Sequence, residues 1–254
     1  MFKRISIFAY GLVAYAVFFA TFLYALGFVG NFIVPRSIDG VPRGDFVSSA
    51  LIDVALLLIF AAQHSVMARP AFKRWFTRFI PEPAERSTYV LASSLALIAL
   101  FYFWQPLGGI VWSIQNPAAK AFIVGAFFFG WSLVLVSTFL INHFDLFGLR
   151  QIWLQLRGGP YTPLRFGTPG PYKLVRHPLY LGWFFAFWAA PTMTMTHLLF
   201  ALATTGYILI AIRLEERDLI DSLGDDYRRY RERVPMIIPF TRRARMKRLE
   251  SQLH

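Results

Sequence analysis

The sequence predicts an all-α, polytopic membrane protein with six transmembrane segments, of which the last two form a short helical hairpin followed by a cytoplasmic C-terminal helix. Three observations predict this fold. Of the 254 residues, 56% are hydrophobic and only 16% are charged, whereas soluble domains carry about 25% charged residues. Five long apolar stretches divide the chain, and the net charge of +12 comes from basic residues that cluster between some of these stretches.

Each apolar stretch reaches the roughly 20 residues that a bilayer-spanning helix requires. In chain order the stretches are Ile5–Val34, Phe46–Met67, Tyr89–Ile114, Ala121–Asn142 and Leu179–Ile212. The first stretch is longer than the apolar region of about 7–15 residues in a cleaved signal peptide. It therefore predicts an anchored span.

The fifth stretch is too long for one span. Its 34 residues would make a continuous helix of about 51 Å, against a hydrocarbon core of about 30 Å. Pro191 lies near its middle, and proline removes a backbone donor and clashes with the preceding turn. We therefore predict a hairpin of two short spans, Leu179–Ala190 and His197–Ile212, which brings the total to six. Beyond it, the apolar spacing in Glu215–Val234 predicts a cytoplasmic helix.

The distribution of basic residues supports the count of six. With the N-terminus in the cytoplasm, six spans place 23 Lys and Arg residues inside and 3 outside. Five spans would leave the last eleven basic residues outside, against the positive-inside rule. We therefore expect both termini in the cytoplasm. Topology and contact with anionic membrane lipid then account for the positive charge, and no nucleic-acid partner is expected.

Several classes of site find no support in the sequence. Cysteine is absent, which excludes thiolate metal sites, disulfides and a cysteine nucleophile. Walker, dinucleotide-binding and nucleophile-elbow patterns are also absent. His64, His143 and Glu215 could converge on a metal, but no helix carries two ligands at a suitable spacing. We predict no metal site.

The predicted topology brings ionisable residues to one depth at the cytoplasmic side. His64 lies near the end of the second span, His143 follows the fourth, His177 precedes the fifth and Glu215 ends the sixth. One interpretation is that such residues simply prefer the interface to the hydrocarbon. The other is a functional site, because ionisable groups at membrane depth are costly and often functional. The number of residues that converge favours the second interpretation.

A long motif lies in the C-terminal third of the chain. Residues 170–182 read Gly-Pro-Tyr-Lys-Leu-Val-Arg-His-Pro-Leu-Tyr-Leu-Gly, and the predicted hairpin is followed by Glu215-Glu216, by Gly-Asp-Asp-Tyr-Arg-Arg-Tyr at 224–230 and by Val234-Pro235. Over roughly residues 164–240 this order resembles the isoprenylcysteine carboxyl methyltransferase and phospholipid methyltransferase superfamily of integral-membrane methyltransferases.

Two further segments extend the resemblance over nearly the whole chain. Gln63-His64-Ser65 and residues 142–151 resemble the branch of this superfamily that contains small-thiol methyltransferases and NnrU-like proteins. The resemblance implies a single membrane domain in the bacterial cytoplasmic membrane. Within it, residues 1–163 would carry the substrate side, 164–240 the S-adenosylmethionine-binding core and 241–254 a basic tail.

The superfamily binds the cofactor S-adenosyl-L-methionine. The resemblance implies that the cofactor-binding residues here are Phe166, Tyr172, His177, Pro178, Leu179, Tyr180 and Glu215. Their chemistry is suitable, since a carboxylate can bind the ammonium or the ribose hydroxyls and a helix start favours the cofactor's carboxylate. The prenylcysteine enzymes also carry a substrate-binding Arg, and Arg213 is close to its place but out of register. This departure argues against a prenylated protein substrate.

The resemblance implies the methylation of methanethiol to dimethyl sulfide, by in-line attack of a thiolate on the sulfonium methyl in a dry pocket. Because a free cysteine thiol has a pKa of about 8.5, a base would assist. His143, with Asp145 two residues further on, is the first candidate and His64 the second. Two alternatives stay open: methylation of a lipid amine or prenylcysteine carboxylate, and a non-enzymatic NnrU-like protein that binds haem through His64 and His143.

Overall fold

A computed structural model describes residues 1–241. The expected basic tail, except for its first residue, lies outside the described residues. The described chain folds into ten α-helices, a 3-10 turn at Gly170–Lys173 and two short strands. The helices are α1 (Phe2–Gly30), α2 (Phe46–Ala68), α3 (Pro70–Phe76), α4 (Glu82–Phe103), α5 (Pro117–Ile141), α6 (His143–Leu146), α7 (Leu149–Arg157), α8 (Pro178–Trp188), α9 (Met195–Leu223) and α10 (Asp225–Arg233), and the strands are β1 (Ile110–Ser113) and β2 (Thr192–Thr194).

Within residues 1–241, five helices are long and apolar enough to cross a membrane, namely α1, α2, α4, α5 and α9. The prediction of a helical, multi-pass membrane protein is confirmed. α8 has only 11 residues, and the second half of the predicted hairpin belongs to α9, which has 29. The count of six spans therefore stays a prediction.

The two strands were not predicted. β1 pairs with β2 in antiparallel fashion, with Ile110 opposite Thr194 and Ser113 opposite Thr192. The sequence-based span over Tyr89–Ile114 ran through β1, whereas α4 ends at Phe103. The chain cannot continue as a helix beyond that point because Pro106 lacks an N–H and Gly108 and Gly109 have positive φ angles. The paired strands join the α4–α5 connection to the α8–α9 connection.

The predicted helix over Glu215–Val234 was wrong in its boundaries. α9 continues through Glu215 to Leu223, and Gly224, with φ 59°, separates it from α10. This backbone conformation is readily adopted only by glycine. The break turns the chain so that α10 and the segment after it come back toward the start of α8.

α5 and α8 approach each other closely at a pair of glycines. A Cβ atom built on Gly130 would lie 2.6 Å from the backbone nitrogen of Ala186, and one built on Gly182 would lie 2.7 Å from the carbonyl oxygen of Gly130. Small residues permit such contact between membrane helices. A buried aromatic core that includes Phe28, Phe101 and Trp131 packs beside this crossing.

The helical bundle has two ends that matter for function. At the first, which we call the His177 end, α2 and α5 finish, α8 begins and α9 carries Glu215. At the opposite end, the His197 end, α1 and α4 finish and α5 and α9 begin. The ionisable residues expected to converge lie at the His177 end.

Candidate active site

A buried ion-pair cluster forms the centre of the His177 end. Glu216 Oε1 accepts a hydrogen bond from Arg176 Nε at 2.6 Å and lies 3.1 Å from His177 Nε2. All three residues are buried. A guanidinium is always charged, so the carboxylate compensates it at close range. The cluster therefore fixes the orientation of the His177 ring just before α8 begins.

The same arginine binds the segment that follows α10. Arg176 Nη1 donates to the carbonyl oxygen of Val234 at 2.6 Å, and the backbone N–H groups of Arg176 and His177 donate to the carbonyls of Pro235 and Met236 at 2.8 and 3.1 Å. We call this set of contacts the C-terminal clasp. It holds residues near the end of the described chain against the start of α8. Sequence reasoning assigned no role to Arg176 or Glu216, although both adjoin predicted site residues.

The structure brings together three of the predicted cofactor-binding residues. The rings of His177 and Tyr180 have centroids 5.6 Å apart, and His177 Nδ1 lies 4.0 Å from Glu215 Oε2. The Tyr180 hydroxyl also interacts with the Glu215 carboxylate. The side chain of Glu215 is 46% exposed, against 11% for Glu216. Glu215 is therefore the carboxylate that remains accessible to a ligand.

A group of tyrosines lies beside this cluster. Tyr230 donates its hydroxyl to the carbonyl oxygen of Tyr172 at 2.6 Å, and Phe166 packs against Tyr230 and Tyr227 at ring distances of 5.7 and 6.1 Å. Burial raises the pKa of Tyr172 and Tyr227, and raises that of Tyr230 to about 12. These phenols therefore stay neutral near pH 7.

Two buried hydroxyls in this region have no hydrogen bond of acceptable geometry within residues 1–241, those of Tyr172 and of Ser137 beside it. Buried polar groups are normally paired, so these hydroxyls fit the presence of a polar ligand. Of the other predicted residues, Pro178 is buried at the first turn of α8 and Leu179 is half-buried.

His64 joins the site from α2. The hydroxyl of Tyr89 lies 2.9 Å from His64 Nε2, and Ser93 Oγ lies 3.2 Å from Nδ1. Phe60 stacks on the imidazole with a centroid distance of 5.3 Å. The next residue, Ser65, lies 3.1 Å from the hydroxyl of Tyr207 on α9, the helix that also carries Glu215.

His143 occupies a different and more enclosed position. Its Nδ1 lies 2.9 Å from Thr138 Oγ1 and its Nε2 lies 2.8 Å from the Tyr15 hydroxyl. The Thr138 hydroxyl donates to the Leu135 carbonyl at 2.7 Å, so it accepts from His143 Nδ1–H, and Nε2 is left to accept from Tyr15. Burial lowers the pKa of His143. The imidazole is therefore a neutral ring with both nitrogens engaged.

Within the described residues, Asp145 has no hydrogen bond to His143. Asp145 instead binds Arg150 Nη1 at 2.9 Å and accepts a hydrogen bond from the Tyr161 hydroxyl at 3.2 Å. The physical reason is that residues two apart on a helical turn point in nearly opposite directions. Asp145 thereby ties α6 to the connection after α7. The described residues contain no group of three His, Asp or Glu side chains that could hold a metal ion.

The sequence matches no family model and no solved structure. Among curated proteins, the methanethiol S-methyltransferase of Crocosphaera subtropica is 54% identical over 238 residues, which cover 94% of this chain and 93% of that protein. The chain belongs to the methanethiol S-methyltransferase family. The enzyme of that name from Mycobacterium tuberculosis is 49% identical over 241 residues, 95% of this chain and 99% of that protein. Nurim of Sus scrofa is a more distant relative, 30% identical over 176 residues and 66% of each chain.

These relatives confirm the resemblance on which the sequence analysis relied. Identity extends over nearly the whole chain, and includes the N-terminal helices as well as the motif between residues 164 and 240. The family takes its name from the transfer of a methyl group to the sulfur of methanethiol.

Proposed function

We propose that the protein transfers the activated methyl group of S-adenosylmethionine to methanethiol and so produces dimethyl sulfide. The observation that carries this proposal is the 54% identity, over 94% of the chain, with an enzyme named for that substrate. The grouping of His177, Tyr180 and Glu215 supports it, because the motif that led to S-adenosylmethionine predicted these three residues.

The residues at the His177 end fit this methyl donor. Glu215 has an accessible carboxylate for the ammonium or the ribose hydroxyls, and the buried hydroxyl of Tyr172, beside that of Ser137, can bond a further polar group. The first turn of α8 offers the backbone N–H groups of Leu179 and Tyr180 to a carboxylate. When bound, S-adenosylmethionine supplies a methyl group activated by its positively charged sulfur. Phe166 and Pro178 complete the proposed binding set.

A base that takes the thiol proton completes the proposed chemistry. We propose His64 for this role, because its nitrogens lie within hydrogen-bond distance of the hydroxyls of Tyr89 and Ser93, and each hydroxyl can rotate to free a nitrogen lone pair. The sequence favoured His143. Its Nδ1–H is fixed by Thr138, whose hydroxyl already donates to the Leu135 carbonyl, so only Nε2 could act, and that atom is engaged by Tyr15. Phe60, stacked on His64, gives the proposed thiol site an apolar wall.

We further propose that the His177 end faces the cytoplasm. The six-span arrangement places 23 basic residues on that side and 3 on the other, in accord with the positive-inside rule. Residues 1–163 would then supply His64 on the substrate side, and residues 164–240 would hold the methyl donor. A small apolar thiol can reach such a site from the lipid.

The full-length protein, purified in detergent, can be incubated with S-adenosylmethionine that carries a labelled methyl group. We expect label in dimethyl sulfide when methanethiol is added, and none in phosphatidylethanolamine or a farnesylcysteine analogue offered in parallel. Label in either of those acceptors but not in the thiol would replace the proposal with the lipid or prenylcysteine alternative. No labelled product together with a haem absorption band would favour a non-enzymatic protein.

The base is tested by pH–rate profiles of His64→Ala and His143→Ala with saturating methanethiol. Loss of a general base lowers turnover by about 10²–10⁴-fold. For His64→Ala the loss should shrink as the pH rises toward the thiol pKa, because solvent then supplies thiolate. Binding of S-adenosylmethionine should be unchanged. A larger and pH-dependent loss in His143→Ala would return the role to that residue.

A further inference from the structure

The His197 end contains a cavity to which the proposed function assigns no role. Its volume is about 320 Å³, and it lies between the end of α1, the first turns of α5 and the α8–α9 connection. Its lining includes the charged and polar residues Asp39, Lys120 and His197 and the apolar residues Val124, Phe127 and Phe128. Because candidate membrane spans begin and end here, the cavity lies at the depth of lipid headgroups.

His197, which lines this cavity, has an unpartnered nitrogen. The residue is 2% exposed, and its Nε2 lies 2.8 Å from the carbonyl oxygen of Phe187. A carbonyl oxygen only accepts, so Nε2 carries a proton, and in the neutral imidazole Nδ1 is an acceptor. Within residues 1–241, Nδ1 has no hydrogen-bond partner. Asp39 Oδ2 lies 3.8 Å from Nδ1 and is an acceptor as well.

Asp39 is held in place opposite His197. Its Oδ2 accepts from Asn31 Nδ2 at 2.7 Å and its Oδ1 accepts from the Thr194 hydroxyl. The backbone N–H of Asp39 donates back to Asn31 Oδ1 at 3.1 Å. A carboxylate has about four acceptor positions, so capacity remains. Two fixed acceptors that face one space can both be satisfied by a single group with several N–H donors, such as a primary ammonium.

Lys120 supplies the opposite charge at the rim. It is exposed in the first turn of α5, and its ammonium forms no ion pair within the described part of the chain. Val124, Phe127 and Phe128 follow it along the helix, so the apolar wall extends about 12 Å from Lys120 into the bundle. The cavity thus combines the carboxylate of Asp39, the imidazole of His197, the ammonium of Lys120 and the apolar face of α5.

We propose that this cavity binds an aminophospholipid of the phosphatidylethanolamine type. The primary ammonium would donate to His197 Nδ1 and Asp39, the phosphate would pair with Lys120, and an acyl chain would follow the apolar face of α5. A choline headgroup has no N–H donor for the two acceptors. A glycerol headgroup has no cation for Asp39. The arrangement therefore selects the amine among common phospholipids. The proposal does not depend on the methyltransfer reaction.

Native mass spectrometry of the delipidated full-length protein can test this selection. The probes are phosphatidylethanolamine, phosphatidylcholine and phosphatidylglycerol with identical acyl chains. We expect phosphatidylethanolamine to bind at least tenfold more tightly than phosphatidylcholine, and Asp39→Asn to remove the difference. Lys120→Gln should weaken the binding of all three lipids several-fold.

Arg43→Gln is the matched control, because Arg43 is an exposed basic residue in the α1–α2 connection and does not line the cavity. It should leave the affinity for phosphatidylethanolamine unchanged. Asp39 also anchors neighbouring side chains, so Lys120→Gln, at an exposed position, decides the matter if Asp39→Asn does not fold. Equal binding of the ethanolamine and choline lipids, or equal losses in Lys120→Gln and Arg43→Gln, would overturn the proposal.

Discussion

Substitution by glutamine should have different effects at the two adjacent glutamates of the His177 end: it should lower the thermal stability at Glu216 and the cofactor affinity at Glu215. Glu216 forms a buried pair with Arg176 at 2.6 Å, and removal of one partner of such a pair costs about 3–5 kcal/mol. Glutamine keeps one acceptor, so we take the lower limit for Glu216→Gln. For a chain of this size about 1 kcal/mol lowers the Tm by about 2–4 °C, which gives a decrease of about 6–12 °C.

Glu215→Gln should instead leave the Tm unchanged, since within residues 1–241 its half-exposed side chain has no ion pair closer than 4.0 Å. It should weaken S-adenosylmethionine binding by at least tenfold, or about 1.4 kcal/mol. Thermal unfolding in detergent and titration calorimetry measure the two effects on the same preparations. A wild-type Tm for Glu216→Gln would refute the argument from the buried pair. Wild-type affinity in a folded Glu215→Gln protein would refute the role given to Glu215.

Three further outcomes are expected. Gly130→Ala should destabilise the fold by about 1–3 kcal/mol, because its Cβ would lie 2.6 Å from a backbone nitrogen, whereas Gly125→Ala, with no atom within 4 Å, should not change the Tm. Burial lowers the pKa of His143, so the unfolded chain takes up a proton before the folded one does. The free energy of unfolding should therefore fall as the pH drops below about 6.5, by at most about 1.4 kcal/mol per pH unit. Between about pH 7.5 and 5.5, the Tm of His143→Gln should decrease less than that of the wild type. Equal decreases would contradict a neutral His143 ring in the folded protein. A reporter fused after the C-terminus should be cytoplasmic, and an external signal would exclude the six-span topology.

Hydropathy located the long helices but not all of their ends. α2 matches its predicted range to within one residue, because Asp45 caps its start and the apolar run ends before Arg69. α4 begins seven residues before the predicted span, at Glu82. Acidic residues and a proline favour a helix start, but those first turns are too polar for a hydropathy criterion. Likewise, β1 and β2 are too short, and too distant in sequence, for their pairing to be inferred.

The residues that lie near one another in the candidate site were predictable where their proximity follows from the order and direction of the membrane spans. Helix directions bring His177 and Glu215 to one end of the bundle, and the structure has them in contact distance. Side-chain direction within a tight turn was not predictable. Asn142, with φ 129°, reorients the chain before α6, so His143 turns toward Tyr15 while Asp145 turns toward Arg150. Which of two adjacent glutamates is buried depends on packing around α9, which periodicity does not resolve.

The C-terminal clasp has a consequence for the order in which the protein is made. Membrane helices emerge from the ribosome one after another, and α8 is complete long before residues 234–236 have been synthesised. Until those residues return, the guanidinium of Arg176 lacks its carbonyl acceptor at Val234, and the backbone N–H groups of Arg176 and His177 lack theirs. The nascent chain can thus insert its helices while its proposed catalytic end is still unassembled. Only a chain translated past Met236 can form these contacts, so fragments released earlier would enter the bilayer without the C-terminal clasp.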